Sequence, residues 1–131
     1  MARILLDTSV IIDALNDRRG RPRLLEELLE AGNTLACCPI NVTEIYAGMR
    51  PNEARVTEEF LASLEFIPLS WAAAKKAGQL KRDHAKQGMT LNLGDAMIAA
   101  VAIESDLTLL TDNVKHFPMK EISLGALPRS S

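Results

Sequence analysis

One pattern constrains the fold more than any other. Short apolar runs, RILL at 3–6, TLACCPI at 34–40, EFIPL at 65–69 and LTLLTD at 107–112, alternate with longer segments of helical spacing. Brief runs without a polar face fit strands covered on both sides, as in a parallel sheet. Strands alternating with helices then predict an α/β fold, a three-layer α/β/α sandwich on a central parallel sheet. KEISL at 120–124 offers a fifth strand.

The helical segments carry readable ends. Ser9 to Leu15 follows the first strand directly, and LLEELLEAG stops at Gly32. NVTEIYAGMR at 41–50 is closed by Pro51, and NEARVTEEFLASL supplies the next helix. SWAAAKKAGQLKRDHAKQG predicts a long amphipathic helix ending near Gly88, with its basic stretch on the wet face. NLGDAMIAAVAIESD at 92–106 is apolar almost all round, which marks a helix buried in the middle of the molecule. GALPRSS at 125–131 reads as a frayed tail, and the 131 residues as one domain with a single core.

In open parallel α/β sheets the functional crevice lies beyond the carboxyl ends of the strands. The first strand ends at Asp7, and the second leads to Asn41 and Glu44. The fourth ends in Thr111, Asp112 and Asn113, while the buried helix carries Asp95 in its first turn. Any one of these acids alone is equally a helix cap. Asn41 to Glu44 and Asn92 to Asp95 have the form of capping boxes, and Asp7 is placed to cap the helix after it. A carboxylate at a helix N-terminus is favoured by roughly 0.3–1 kcal/mol, so capping is a sufficient reason for each.

Convergence is harder to explain by capping. Carboxylates gathered in one cleft repel one another, and a divalent cation resolves the conflict. Oxygen donors favour Mg²⁺ or Mn²⁺ over zinc, with Asp7 and Asp95 as the expected ligands. Such an ion activates water and neutralises charge on phosphate oxygens, which suits phosphodiester hydrolysis. His84 and His116 are isolated and read as surface or packing histidines, and Asp13 as a surface or helix-packing acid.

Composition narrows the partners. Aromatic residues make up only 4% of the chain, which disfavours an aromatic platform for stacked bases. A net charge of −2 gives no global basic field. The one dense basic run is Arg18, Arg19, Arg21 and Arg23, either a solvated loop or a set of phosphate contacts for RNA. Cys37 and Cys38 are adjacent and predict buried small hydrophobes rather than a disulfide or zinc site. No apolar run approaches the ~20 residues of a membrane span, and a cytoplasmic protein is expected.

LLDTSVIIDAL, NVTEIYAG and GDAMIAAVAIESDLTLLTDNVKHF, in this order, resemble the PIN domain, and within it the VapC toxins of bacterial and archaeal toxin–antitoxin pairs. The resemblance covers nearly the whole chain. It implies a metal-dependent endoribonuclease with an acidic quartet. Asp7, Glu44 and Asp95 match the first three acids, and the fourth falls on Asp112 or Asn113. Thr8, Ser9 and Thr111 resemble hydroxyl residues that orient the carboxylates or a metal-bound water, and equally serve as turn and cap hydroxyls. The implied activity is cleavage of tRNA or rRNA leaving a 5′-phosphate and a 3′-hydroxyl. A cognate antitoxin and a homodimer are the implied partners.

Other α/β sites fit less well. A receiver-type phosphoacceptor needs an acceptor Asp after the third strand, where EFIPLSW has none. A haloacid-type phosphatase needs a second Asp where this chain has Ser9, and no G-x-G-x-x-G follows the first strand. The competing expectations are a housekeeping RNA-processing nuclease and a catalytically weak PIN-like module that binds RNA or protein without cutting.

Overall fold

The computed structural model describes residues 1–125 and 127. Five strands, β1 (Arg3–Leu6), β2 (Thr34–Cys37), β3 (Glu65–Phe66), β4 (Thr108–Leu110) and β5 (Ser123–Gly125), form one sheet in the order β3-β2-β1-β4-β5. Every neighbouring pair is parallel. The helices are α1 (Thr8–Leu15), α2 (Arg21–Glu30), α3 (Pro39–Gly48), α4 (Ala54–Ala62), α5 (Trp71–Lys86) and α6 (Leu93–Glu104). Short 3₁₀ turns lie at Pro51–Glu53 and Val114–His116.

Strand register sorts the core into two faces. Leu5 stands level with Ala36 on one side and Leu109 on the other, all fully buried. That row packs on α5 and α6 through Ala73, Ala77, Leu80, Ile98 and Ala99. The alternate residues Ile4, Leu6, Leu35, Cys37 and Leu110 point the other way, onto Val10, Ile11, Leu25 and Leu61 of α1, α2 and α4. The predicted three-layer sandwich is therefore the observed one. Each large aliphatic side chain buried in these layers contributes roughly 1.5–3 kcal/mol. Helix α6 has Ala96, Ala99, Ala100 and Ala102 at 0–1% exposure, as its all-round apolar sequence predicts.

Several boundaries differ from expectation for local reasons. Pro39 does not interrupt a strand; it opens α3 at the first turn, where its missing N–H is no loss. Asn41 is consequently not a cap but the third residue of α3, with its side chain accepting from the Cys38 N–H at 2.8 Å. Strand β3 is only two residues long because Ile67 N–H makes the last ladder bond, to Cys37 O at 2.8 Å, and Pro68 has no N–H to continue. The C-terminal segment starts later than a frayed tail at 125 would allow: Gly125 completes β5, and Leu127 packs on the second core face. The remainder of that tail, 126 and 128–131, lies outside the described residues. Glycines 32 and 88 leave their helices with φ of 93° and 78°, the left-handed exit predicted for them.

Strand order positions the site. From β1 the chain builds outward through β2 to β3, then returns through α6 to β4 on the other flank of β1. Beyond the carboxyl ends of β1 and β4 the crossovers diverge, which is the switch point where open α/β sheets carry their sites.

Candidate active site

Asp7 emerges from β1 at this switch point. Its backbone N–H extends the ladder to Leu110 O at 2.9 Å, and its side chain is 5% exposed. Oδ1 accepts from the Thr8 N–H at 2.9 Å, so Asp7 does cap α1. Oδ2 accepts from the Thr111 hydroxyl at 2.6 Å, a short charge-assisted bond across the switch. Thr111 is itself buried, and its oxygen accepts from the Asn113 N–H at 2.9 Å. The capping role and the crevice role are thus divided between the two oxygens of one carboxylate.

Glu44 reaches the same place from α3. Thr8 Oγ1 donates to Glu44 Oε1 at 2.7 Å and accepts from Asn41 Nδ2 at 3.0 Å. Asn41 is fully buried, tied at one end to Cys38 and at the other to Thr8. On its other side Glu44 lies against the start of α6, where a Cβ built at Gly94 would stand 3.4 Å from Oε2.

Asp95 follows on the first turn of α6. Its N–H donates to Asn92 Oδ1 at 3.2 Å, the predicted cap. Burial raises the Asp95 carboxyl above its ordinary value, and the charges of Asp7 and Glu44 add to the rise. His116 opposes it, with Nδ1 3.4 Å from Asp95 Oδ2. The structure therefore brings Asp7, Glu44 and Asp95 within electrostatic reach of one another.

Asp112 departs from expectation. It is turned to the arginine-rich turn between α1 and α2, where Arg21 Nη2 donates to Oδ1 at 2.7 Å. Arg19 Nη1 lies 3.1 Å from Oδ2, an ion contact without hydrogen-bond alignment, and 3.8 Å from Asp13. Arg21 is 1% exposed, which removes it from the set of phosphate contacts open to a polyanion. Arg19 is likewise engaged by two acids, while Arg18 and Arg23 are exposed and Arg23 pairs with Glu27 at 3.2 Å. Asp17 and Arg19 hold φ of 51° and 57°, so the turn adopts a left-handed backbone that non-glycine residues rarely accept. Asn113 is exposed at the head of the 3₁₀ turn. Ser9 Oγ is buried without a hydrogen-bond partner among the described residues.

Two contributors escaped sequence reasoning. Asn41 looked like a cap, and only the position of Pro39 at the first turn of α3 could have signalled otherwise. His116 looked isolated because twenty residues of helix and strand separate it from Asp95.

A parallel α/β sheet with Asp7, Glu44 and Asp95 facing one another beyond the carboxyl end of β1 places the chain among α/β folds with an acid-centred site. Within that class, a PIN domain profile matches residues 4–119. The chain belongs to the PIN domain family. It is 37% identical over 120 residues to ribonuclease VapC10 of Mycobacterium tuberculosis, covering 90% of this chain and 88% of that protein. It is 33% identical over 115 residues to ribonuclease VapC19 of the same species, covering 88% and 92%. Among solved structures, VapBC2 from Rickettsia felis bound to a DNA fragment from its promoter superposes with a TM-score of 0.83 at 26% identity, covering 93% of this chain and 96% of that one. Among the described residues, no helix is long and apolar enough to cross a membrane.

Proposed function

We propose that this protein is a Mg²⁺- or Mn²⁺-dependent endoribonuclease acting as the toxin of a toxin–antitoxin pair. The observation that carries the reading is the meeting of Asp7, Glu44 and Asp95 at the switch point of a PIN domain. Its ribonuclease relatives and the VapBC2 likeness support the RNA substrate and the antitoxin partner. A structured RNA such as tRNA or rRNA, a cytoplasmic location and a homodimer belong to the same reading.

The donor set fits a hard cation. Among the described residues no three His, Cys, Asp or Glu side chains are already gathered as a ligand set. Mg²⁺ asks for less, since it keeps several waters and takes one or two carboxylates. Asp7 and Asp95 would hold it, and when bound it would supply an activated water and charge neutralisation at the phosphate. Thr111 and the Thr8 N–H fix the orientation of the Asp7 carboxylate. Asn41 and Glu44 hold the Thr8 hydroxyl from both sides. In this reading Asn113, exposed at the head of the Val114–His116 turn, is the amide that meets RNA, whereas Asp112 shapes the turn behind it.

The test is incubation of the purified protein with total RNA, with and without Mn²⁺, followed by mapping of 5′ ends. Metal-dependent fragments that disappear in Asp7→Asn are expected. RNA captured intact by a metal-loaded wild type would overturn the nuclease reading in favour of a binding module. Co-purification with the product of a small adjacent reading frame, with loss of cleavage, is expected for a toxin. Full activity in its presence would favour RNA processing.

A further inference from the structure

A cavity of about 420 Å³ opens directly beside Asp95, between the C-terminal end of α5, the loop into α6 and the Val114–His116 turn. Its volume lies within the ~300–1,000 Å³ range of small-ligand sites. Met89, Leu91 and Pro118 give it an apolar wall, and His84, Lys115 and His116 give it a polar, basic one. None of these residues takes part in the carboxylate chemistry apart from the contact of His116 with Asp95.

The walls are held in place. Lys81 Nζ donates to Leu91 O at 2.7 Å, fastening the loop to α5. His84 Nδ1 lies 2.8 Å from Leu80 O, so in the neutral ring Nδ1 donates and Nε2 is left as an acceptor. Asn92, also on the lining, commits its Oδ1 to the Asp95 N–H and keeps its NH₂ as a donor. An acceptor and a donor on a lining that is otherwise partly apolar are what the edge of a nucleobase requires. The thioether of Met89 suits its face, because sulfur packs favourably on aromatic rings.

Charge points to the same ligand. RNA carries a phosphate at every nucleotide, so a chain whose scissile phosphate sits at Asp7 and Asp95 must place the next one nearby. Acids there would repel it, but Lys115, adjacent in sequence to the residue touching Asp95, would receive it. An acidic peptide would find the cation but no use for the apolar wall beside a carboxylate centre.

We propose that this cavity is the subsite for the RNA nucleotide flanking the scissile phosphate, with the base on Met89 and Pro118 and the phosphate on Lys115. The proposal rests on the nuclease reading above. It is tested on the full chain with Met89→Trp, which fills the cavity, Lys115→Ala, and Lys75→Ala as an exposed control on the far part of α5.

Two readouts are taken. In metal-free buffer, nucleoside 5′-monophosphates should shift the Met89 methyl resonance of the wild type. In cleavage of a randomised RNA, Met89→Trp should erase base preference at one position beside the cut and raise KM about tenfold. Lys115→Ala should raise KM severalfold and flatten the salt dependence of binding by about one unit of slope. Wild-type cleavage with no methyl shift, and variants matching the control, would overturn the subsite while keeping the nuclease. Nucleotide-induced shifts in a wild type that cuts no RNA would support a nucleotide site and overturn the nuclease instead. Loss of a protein partner alone in Met89→Trp would make the cavity a protein-docking site and overturn the proposal.

Discussion

Arg21 shows how far a single residue's role depends on where its neighbours end. Its guanidinium is buried against Asp112, the acid that immediately follows Thr111, and Thr111 donates to Asp7. Truncation by Arg21→Ala would leave Asp112 without its buried partner and facing, among the described residues, Arg19. Breaking a fully buried pair costs about 3–5 kcal/mol; with Arg19 remaining, a loss of about 2–3 kcal/mol is expected in urea unfolding. Asp112→Asn should likewise act first on stability, whereas Asn113→Ala should lower cleavage with little change in the unfolding midpoint. The reverse ranking would return Asp112 to the site. Asp7 and Asp95 were legible in the sequence because one directly follows a strand and the other lies in the first turn of a helix, whereas Glu44, in the second turn of α3, stood out through the resemblance of NVTEIYAG to the PIN domain. The side of the chain that Asp112 takes was not legible, since it is decided by a turn ninety residues away whose arginines looked like a solvated loop.

Among the elements, β2 and α3 carry a testable consequence of burial. Desolvation pushes the Cys37 thiol from 9.0 up to about 11, with Cys38 adding to it. Cys38 is also raised by burial, against the hydrogen bonds from Asn41 and Ile40. Both thiols should therefore react with a disulfide reagent at pH 8 only as fast as the protein opens. The sign of the pH effect follows from proton counts. Between pH 9 and 11 the folded Cys37 keeps a proton that the unfolded chain releases, so stability falls as pH rises through that window. Urea midpoints at pH 8.5 and 10.5 should show the decline, and Cys37→Ala should reduce it. Gly94 is a second handle, because alanine there gains up to ~1 kcal/mol of helix propensity. Its Cβ would stand 3.1 Å from Asn92 Oδ1 and 3.4 Å from Glu44 Oε2. Cleavage should fall in Gly94→Ala while the melting temperature holds or rises; unchanged cleavage would show that Glu44 tolerates displacement. Helix α6 was readable from its all-round apolar sequence. The boundary of α3 was not, because Pro39 reads as a strand breaker until β2 is seen to have ended already.

At the scale of the molecule, the order β3-β2-β1-β4-β5 makes β1 the centre of the sheet and brings acids from three separate elements to one edge. The fold holds them there at a cost, visible in the upward shift of Asp95, which means its charge is less favourable in the folded chain than in the unfolded one. A cation that binds only the folded site should offset that cost. At a concentration of about one hundred times Kd, a single bound ion adds about 2.7 kcal/mol. For a domain of this size each kilocalorie moves the melting point by roughly 3–5 °C, so Mn²⁺ should raise it by about 10 °C. Asp95→Asn separates the two contributions. Removing the disfavoured charge should raise the metal-free melting temperature, and removing the ligand should abolish most of the Mn²⁺ response. Calorimetry of both proteins with and without millimolar Mn²⁺ checks this directly. A wild type indifferent to the ion, together with an Asp95→Asn variant no more stable than it, would mean that the acids meet at the switch point for capping alone.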